Sequence, residues 1–317
     1  MSACFRILRF FPAFIFAFIT SLPVEAQTDA MDSVADKSEI LKYKPRFAAK
    51  LSDRLRETSG LVVIDGQLWT LNDGGNNPEL YQIDTANGNV LRTVFIINGQ
   101  NTDWESIAQD DSNVYIGDFG NNTGSRKNLC ILKINKPDLL NPAIDSLKAG
   151  IIRFSYPDQS DFSYSLNTNN YDCEAFFFDR DSLHLFSKNW QNQQCRHYVL
   201  PTDTGTFQAG FKEIFNADGL ITDVSVNESG NIVMLGYKNT GGRMYSCFAW
   251  LLSGYTDGFY FNGSKKRVEL GSAFNLGQTE GIVLMNDNTG WLSSESIFAG
   301  WLFRPAKLFR FDFRNFY

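Results

Sequence analysis

Five stretches of this chain repeat one pattern, and that repeat constrains the fold more than any other feature. They are Glu57-Thr-Ser-Gly-Leu-Val-Val, Trp104-Glu-Ser-Ile-Ala, Cys173-Glu-Ala-Phe-Phe-Phe, Thr222-Asp-Val-Ser-Val and Thr279-Glu-Gly-Ile-Val-Leu. A polar Gly, Asn or Asp turn follows each one. A second apolar run comes next: LWTLND, VYIGDF, LHLFSK, IVMLGY and GWLSSE. Apolar runs of this length joined by such turns read as β-hairpins. A third strand is expected at 80–83, 129–134, 197–200, 247–252 and 308–313. A fourth is expected at 90–97, 151–156, 211–215 and 266–270, and the fifth unit reaches Tyr317 without one. Residues 46–51 lie where a fourth strand precedes every other repeat. They are expected to complete the last unit beside 308–313, which hides the sheet edges an open array would expose.

The fold class that follows is all-β: a single β-propeller of five four-stranded blades over 46–317. A six-bladed ring is the alternative, with a degenerate blade hidden in the long gap between the second and third repeats. That gap is expected to hold a short helical excursion at 141–148 and a polar loop at 158–172 instead.

The first 26 residues do not belong to this repeat. Arg6 and Arg9 precede an apolar run at 10–22, and Val24-Glu25-Ala26 supplies the small residues of a cleavage site. This reads as a signal peptide, so the product is expected to be secreted or periplasmic. The run is short for a membrane span, and no span is expected after cleavage. Residues 27–45 read as an N-terminal linker. A formal net charge of −6 offers no basic face for a nucleic acid. Cys130, Cys173, Cys195 and Cys247 form no C-x-x-C pair, which argues against zinc. They are expected as buried thiols or one bridge.

In this register the first strand of each blade lines the channel. Ser59, Glu105, Glu174, Asp223 and Glu280 take the same position and converge on one mouth. Carboxylates packed this closely shift their pKa values upward or admit a cation. A hard oxygen shell suits Ca²⁺. The alternatives are a water-filled, partly protonated channel, or carboxylates paired with Lys or Arg. Glu57 lies two residues before Ser59, so it shares a strand face with it. The loops after the second strands open on the same side. They carry Asp73 and Asn76, Asp118 and Asn122 with Arg126, then Lys188, Lys238 and Arg243. Glu57, Asp73 and Asp118 are candidate bases. Asn76, Asn122, Arg126, Lys188, Lys238 and Arg243 are candidate ligand contacts, suited to an anion. His184 and His197 read as satisfied sheet residues away from the channel.

The ring resembles that of the calcium-activated nucleotidases (apyrases), on Glu57-Thr-Ser59, Glu105-Ser-Ile-Ala, Glu174, Asp223 and Glu280-Gly-Ile. The resemblance implies a five-bladed propeller with one channel calcium held by Ser59, Glu105, Glu174, Asp223 and Glu280, Asp223 replacing a serine. That family's first strand carries acidic residues that engage the nucleotide, whereas RFAAKLSD here has only Asp53. The SGL, NDGGN, DWE and GDFGNN motifs are also similar to those of secreted bacterial propellers, and esterase-like phytase domains are more distantly similar. Two functions follow as expectations. One is a metal-centred hydrolase of phosphate esters or anhydrides acting on a small anionic ligand. The other is a non-catalytic propeller that binds a glycan, peptide or surface partner, with exposed Trp190 and Trp301 among its contacts.

Overall fold

A computed structural model describes residues 41–317 apart from 243, 300 and 301. The signal peptide, most of the expected linker, Arg243 and Trp301 therefore lie outside the described residues.

Each repeat folds as an antiparallel blade. Blade 1 runs Thr58–Ile64, Gln67–Asn72, Glu79–Ile83 and Val90–Ile96 from the axis outward. Blade 2 runs Trp104–Gln109, Asn113–Asp118, Cys130–Asn135 and Gly150–Ser155. Blade 3 runs Asp172–Asp179, Ser182–Lys188, Cys195–Pro201 and Gly210–Phe215. Blade 4 runs Leu220–Val226, Ile232–Gly241, Met244–Ser253 and Ser264–Ser272. Blade 5 runs Gln278–Leu284, Thr289–Glu295 and Lys307–Asp312, and Arg46–Lys50 supplies its outer strand. That strand pairs antiparallel with Lys307–Asp312, Phe47 opposite Phe309, so the ring closes as the repeat requires. The inner strands pack in order, blade 5 against blade 1, which makes five blades.

Alternation along each strand sends apolar side chains to both blade faces, and the interfaces between blades become the core. Trp69 and Leu80 of blade 1 meet Trp104 and Ile116 of blade 2. Phe119 of blade 2 meets Phe176 of blade 3, and Phe186 of blade 3 meets Phe248 of blade 4. Leu235 of blade 4 meets Leu292 of blade 5, and Leu308 of blade 5 meets Leu68 of blade 1. Truncating a buried Trp or Phe of this kind to Ala costs about 3–5 kcal/mol.

Two expectations are corrected. The helix of the long gap is Lys136–Leu140, capped by the Asn135 side chain, not 141–148. Ser146–Leu147 within that stretch is a short strand, parallel to the outer strand of blade 1. Gly205–Gln208 covers the edge of blade 2 in the same way. Leu41–Lys42, inside the expected linker, covers that of blade 4. All four cysteines are free thiols; Cys173, Cys195 and Cys247 are buried.

Candidate functional site

One irregularity recurs at the same end of all five inner strands. The ladder register shifts between Thr58 and Leu61, Trp104 and Ser106, Cys173 and Ala175, Ile221 and Asp223, and Thr279 and Gly281. Each shift is a β-bulge, which re-aims a side chain out of the regular alternation. The residues at the bulges are Ser59, Glu105, Glu174, Thr222 and Glu280. Four of these are residues named above for the ring, and the fourth blade differs. Thr222 stands at the ring, and Asp223 lies one residue deeper.

Asp223 is 1 % exposed and fixed from several directions. It accepts hydrogen bonds from Ser106 Oγ at 2.7 Å and from Ile282 N–H at 2.7 Å. The Leu61 and Val224 N–H groups also point at it. Burial pushes its carboxyl up to about 8 against the pull of those donors. The neighbours at its level are small: Gly60, Ser106, Ala175 and Gly281. Asp223 therefore ties the inner strands of blades 1, 2, 4 and 5 together below the mouth. Its expected role as a mouth ligand does not fit this position.

Above it, the mouth gathers more carboxylates than the ring alone supplies. Asp103 and Asp172 precede Glu105 and Glu174 by two residues, as Glu57 precedes Ser59. Asp73 and Glu295 enter from the second strands of blades 1 and 5. One carboxylate oxygen from each of Asp73, Asp103 and Glu105 lies within 4.8 Å of the others. Two glycines make the room. A Cβ on Gly74 would strike Asp103, and one on Gly120 would strike Glu105 and Asp103. This explains the NDGG and GDFG motifs: backbone must pass closely over these carboxylates.

Electrostatics follow from the crowding. Glu105 is 5 % exposed, and among the described residues no donor reaches its carboxylate. Burial, then Asp73, Glu174 and Asp103, push its carboxyl well above the usual range. Burial raises Glu280 to about 7, against Lys188 and the Gln278 amide at 2.6 Å. Glu295 is also raised well above its ordinary value, by burial and then by Glu280, Asp73 and Glu57.

Lys188 is the only lysine or arginine among the described residues that is buried. Its ammonium bonds both oxygens of Glu174 and lies 4.8 Å from the Trp190 ring and 5.1 Å from that of Tyr237. Burial opposes its charge, yet Glu174, Tyr237, Glu280 and Asp172 hold its pKa well above the ordinary value.

The remaining candidates play other parts. Asp118 is buried, accepting from Asp103 N–H at 3.0 Å and from Arg126 at 2.8 Å. It is thus a brace for the Asp103 loop, with Arg126 reaching on to the Gly120 carbonyl at 2.7 Å. Asn76 donates to Glu57 at 2.6 Å, and Asn122 to Asp172 at 3.3 Å. Lys238 pairs with Asp218 away from the buried carboxylates. Trp190 is partly buried and donates to Asp172 at 2.7 Å, so it is no exposed platform. His184 and His197 are hydrogen-bonded to each other at 2.9 Å, inside blade 3. The residues that sequence reading overlooked are Asp103 and Asp172; Glu295 ends the fifth of the second runs, GWLSSE, whose end was expected on this side. The i, i+2 rule that found Glu57 would have found both aspartates.

No protein-family model and no curated protein matches this chain. Among solved structures, the exo-β-1,3-galactanase of Phanerochaete chrysosporium superposes with a TM-score of 0.52 at 11% identity, over 85% of this chain and 65% of that one. A hypothetical protein from Leishmania major gives 0.49 at 12% identity, over 86% and 92%. An α-L-arabinofuranosidase from Podospora anserina gives 0.47 at 12%, over 86% and 98%. At these identities the likeness extends to the propeller fold and no further.

Proposed function

We propose that the channel mouth is the functional site, and that it holds a divalent cation at Asp73, Asp103 and Glu105 beneath a neutral, hydroxyl-rich ligand such as a glycan. The observation that carries this reading is Glu105: a buried carboxylate with no donor, converging with two further carboxylates. An all-oxygen set of this kind suits calcium, which tolerates irregular geometry. Bound there, the cation would neutralise the carboxylates and offer coordination sites to ligand oxygens. The apyrase-like ring fits less well as a single ligand set, because Glu174 is held by Lys188 and Asp223 lies below the mouth. The hydroxyls of Ser59 and Thr222 donate to the backbone carbonyls of Glu105 and Thr279, and their lone pairs stay available.

Ligand class follows from the cations. Arg126, Lys188 and Lys238 are each paired with a carboxylate, which weakens the support for an anionic ligand. Hydroxyl groups, by contrast, donate readily to carboxylates and bind hard cations. The galactanase neighbour was solved with β-1,3-galactotriose, which is in keeping with a glycan.

A second reading, hydrolysis at the same mouth, is favoured by Glu280. A buried carboxyl raised to about 7 falls in the range a general acid or base needs near neutral pH. Glu57 and Asp73 are the other candidates, and Asp118 is set aside because it is already engaged.

After chelation, calcium should raise the melting temperature, since a ligand specific for the native state stabilises it by about 2.7 kcal/mol at a hundred-fold excess over Kd. Glu105→Gln should abolish that rise. Glycan binding, measured on an oligosaccharide panel, should need calcium. A wild-type protein indifferent to calcium would sink the reading. Turnover of glycosides or phosphate esters on the same panel would favour the second one.

A further inference from the structure

The mouth contains the same acidic pair twice. Asp103-Trp104-Glu105 opens the inner strand of blade 2, and Asp172-Cys173-Glu174 opens that of blade 3. Both glutamates sit at a bulge, and an aspartate stands two residues ahead of each. The two pairs differ in what the second strand of each blade brings to them. Trp104 pairs with Asp118 and Cys173 with Ser187, so the next residues, Phe119 and Lys188, are equivalent. Phe119 turns into the core between blades 2 and 3 and offers no charge. Lys188 reaches Glu174 with its ammonium and is boxed in by the Trp190 and Tyr237 rings.

Asp172 is itself held by donors. It accepts from Asn121 N–H at 2.6 Å and from Trp190 Nε1–H at 2.7 Å. The blade 3 pair thus has an internal cation and internal donors. Glu105 of the blade 2 pair has neither among the described residues.

We propose that Lys188 is a built-in cation that occupies the blade 3 pair and so limits the mouth to a single divalent ion, at the blade 2 pair. Lys188 is then a specificity residue for ion number. It supplies one positive charge where its own blade would otherwise repeat the ion site of its neighbour. An ammonium held by a carboxylate in a low-dielectric setting excludes a second cation by direct Coulomb repulsion. This rests on the cation reading of the preceding subsection.

The test is ion stoichiometry, titrated with calcium by calorimetry and by native mass spectrometry. Wild-type protein should bind one ion at the mouth and Lys188→Gln two. Lys188→Gln with Glu174→Gln should return to one. Terbium supplies a second readout. Its luminescence on tryptophan excitation should rise in Lys188→Gln, because the new ion would sit beside Trp190. Adding Trp190→Phe should remove that increment. If wild-type protein binds no ion, the cation reading itself fails. If wild-type and folded Lys188→Gln both bind one ion with the same affinity, only the role of Lys188 fails. Should Lys188→Gln be unfolded without calcium and folded with it, the replacement of one cation by another is upheld. If it stays unfolded at saturating calcium, Lys188 does something a divalent ion cannot, and the proposal is overturned.

Discussion

Glu105 and Asp223 are both buried carboxylates on inner strands, one residue apart in blade register, yet they are built in opposite ways. Asp223 is surrounded by donors from blades 1, 2, 4 and 5. Glu105 faces other carboxylates. Burial raises both groups, so burial does not distinguish a site from a strut; the supply of donors does. A buried charge with donors fixes strands in place, whereas one without donors stores an unfavourable energy that a ligand can relieve. The channel accordingly has a structural floor at Asp223 and a mouth of crowded carboxylates above it.

The largest expected effect breaks the floor. Asp223→Ala leaves the Ile282, Leu61 and Val224 N–H groups and Ser106 Oγ without their shared acceptor. At about 1–3 kcal/mol per buried unsatisfied group, the loss should reach about 3 kcal/mol or more in urea unfolding. Glu105→Gln should do the opposite in ion-free protein, leaving stability unchanged where the carboxyl is protonated and raising it at a pH that ionises the group, because no donor offsets the buried charge. Equal losses in the two variants would show that both carboxylates are struts and that the distinction is mistaken.

A smaller effect separates them by pH. Glu105, Glu280 and Asp223 are all raised above their ordinary values, to about 7 for Glu280 and about 8 for Asp223. A raised group contributes stability that is fully present below its unfolded value. That stability is lost as pH rises through the folded one. Ion-free protein should therefore lose stability from pH 5 to pH 8, with a slope of at most about 1.4 kcal/mol per pH unit for each group. Calcium needs deprotonated ligands, so it should flatten the part of the slope due to the mouth and leave the part due to Asp223. Thermal melts across this range, with calcium and with a chelator, measure both. Identical slopes in the two series would remove the mouth as a cation site.

Much of the fold was legible because the repeat is a covalent pattern. Hairpin turns, strand alternation and the displaced outer strand at 46–50 all leave marks in the order of residues. The helix at 136–140 was legible too, since Asn135 and Pro137 are an N-cap and a first-turn proline, but it was assigned further along. The site was legible only in part. A bulge inserts a residue without a sequence mark of its own, so Thr222-Asp223 was aligned on its acid and missed the ring by one. Pairing is also invisible in one dimension. Nothing in Lys188-Asn-Trp or in Arg126-Lys distinguishes a cation free for a ligand from one already bonded to Glu174 or Asp118.

Lys238 supplies the smallest prediction and the sharpest control on Lys188. Lys188 ends the second strand of blade 3 and Lys238 lies within the second strand of blade 4, and sequence reading placed both at the mouth. Lys188 is 3 % exposed. The Lys238 side chain is 34 % exposed and its partner Asp218 52 %. An exposed pair of this kind is worth about 0.2–1 kcal/mol and is screened by salt. Arg267, 3.8 Å from Asp218, also lessens what Lys238 alone contributes. Lys238→Ala should therefore shift unfolding by under about 1 kcal/mol, less at high salt, and leave calcium stoichiometry and affinity as in the wild type. A tenfold change in calcium affinity would place Lys238 within the field of the mouth. It would also restore support for an anionic ligand, because a basic loop residue would then act on whatever the mouth holds.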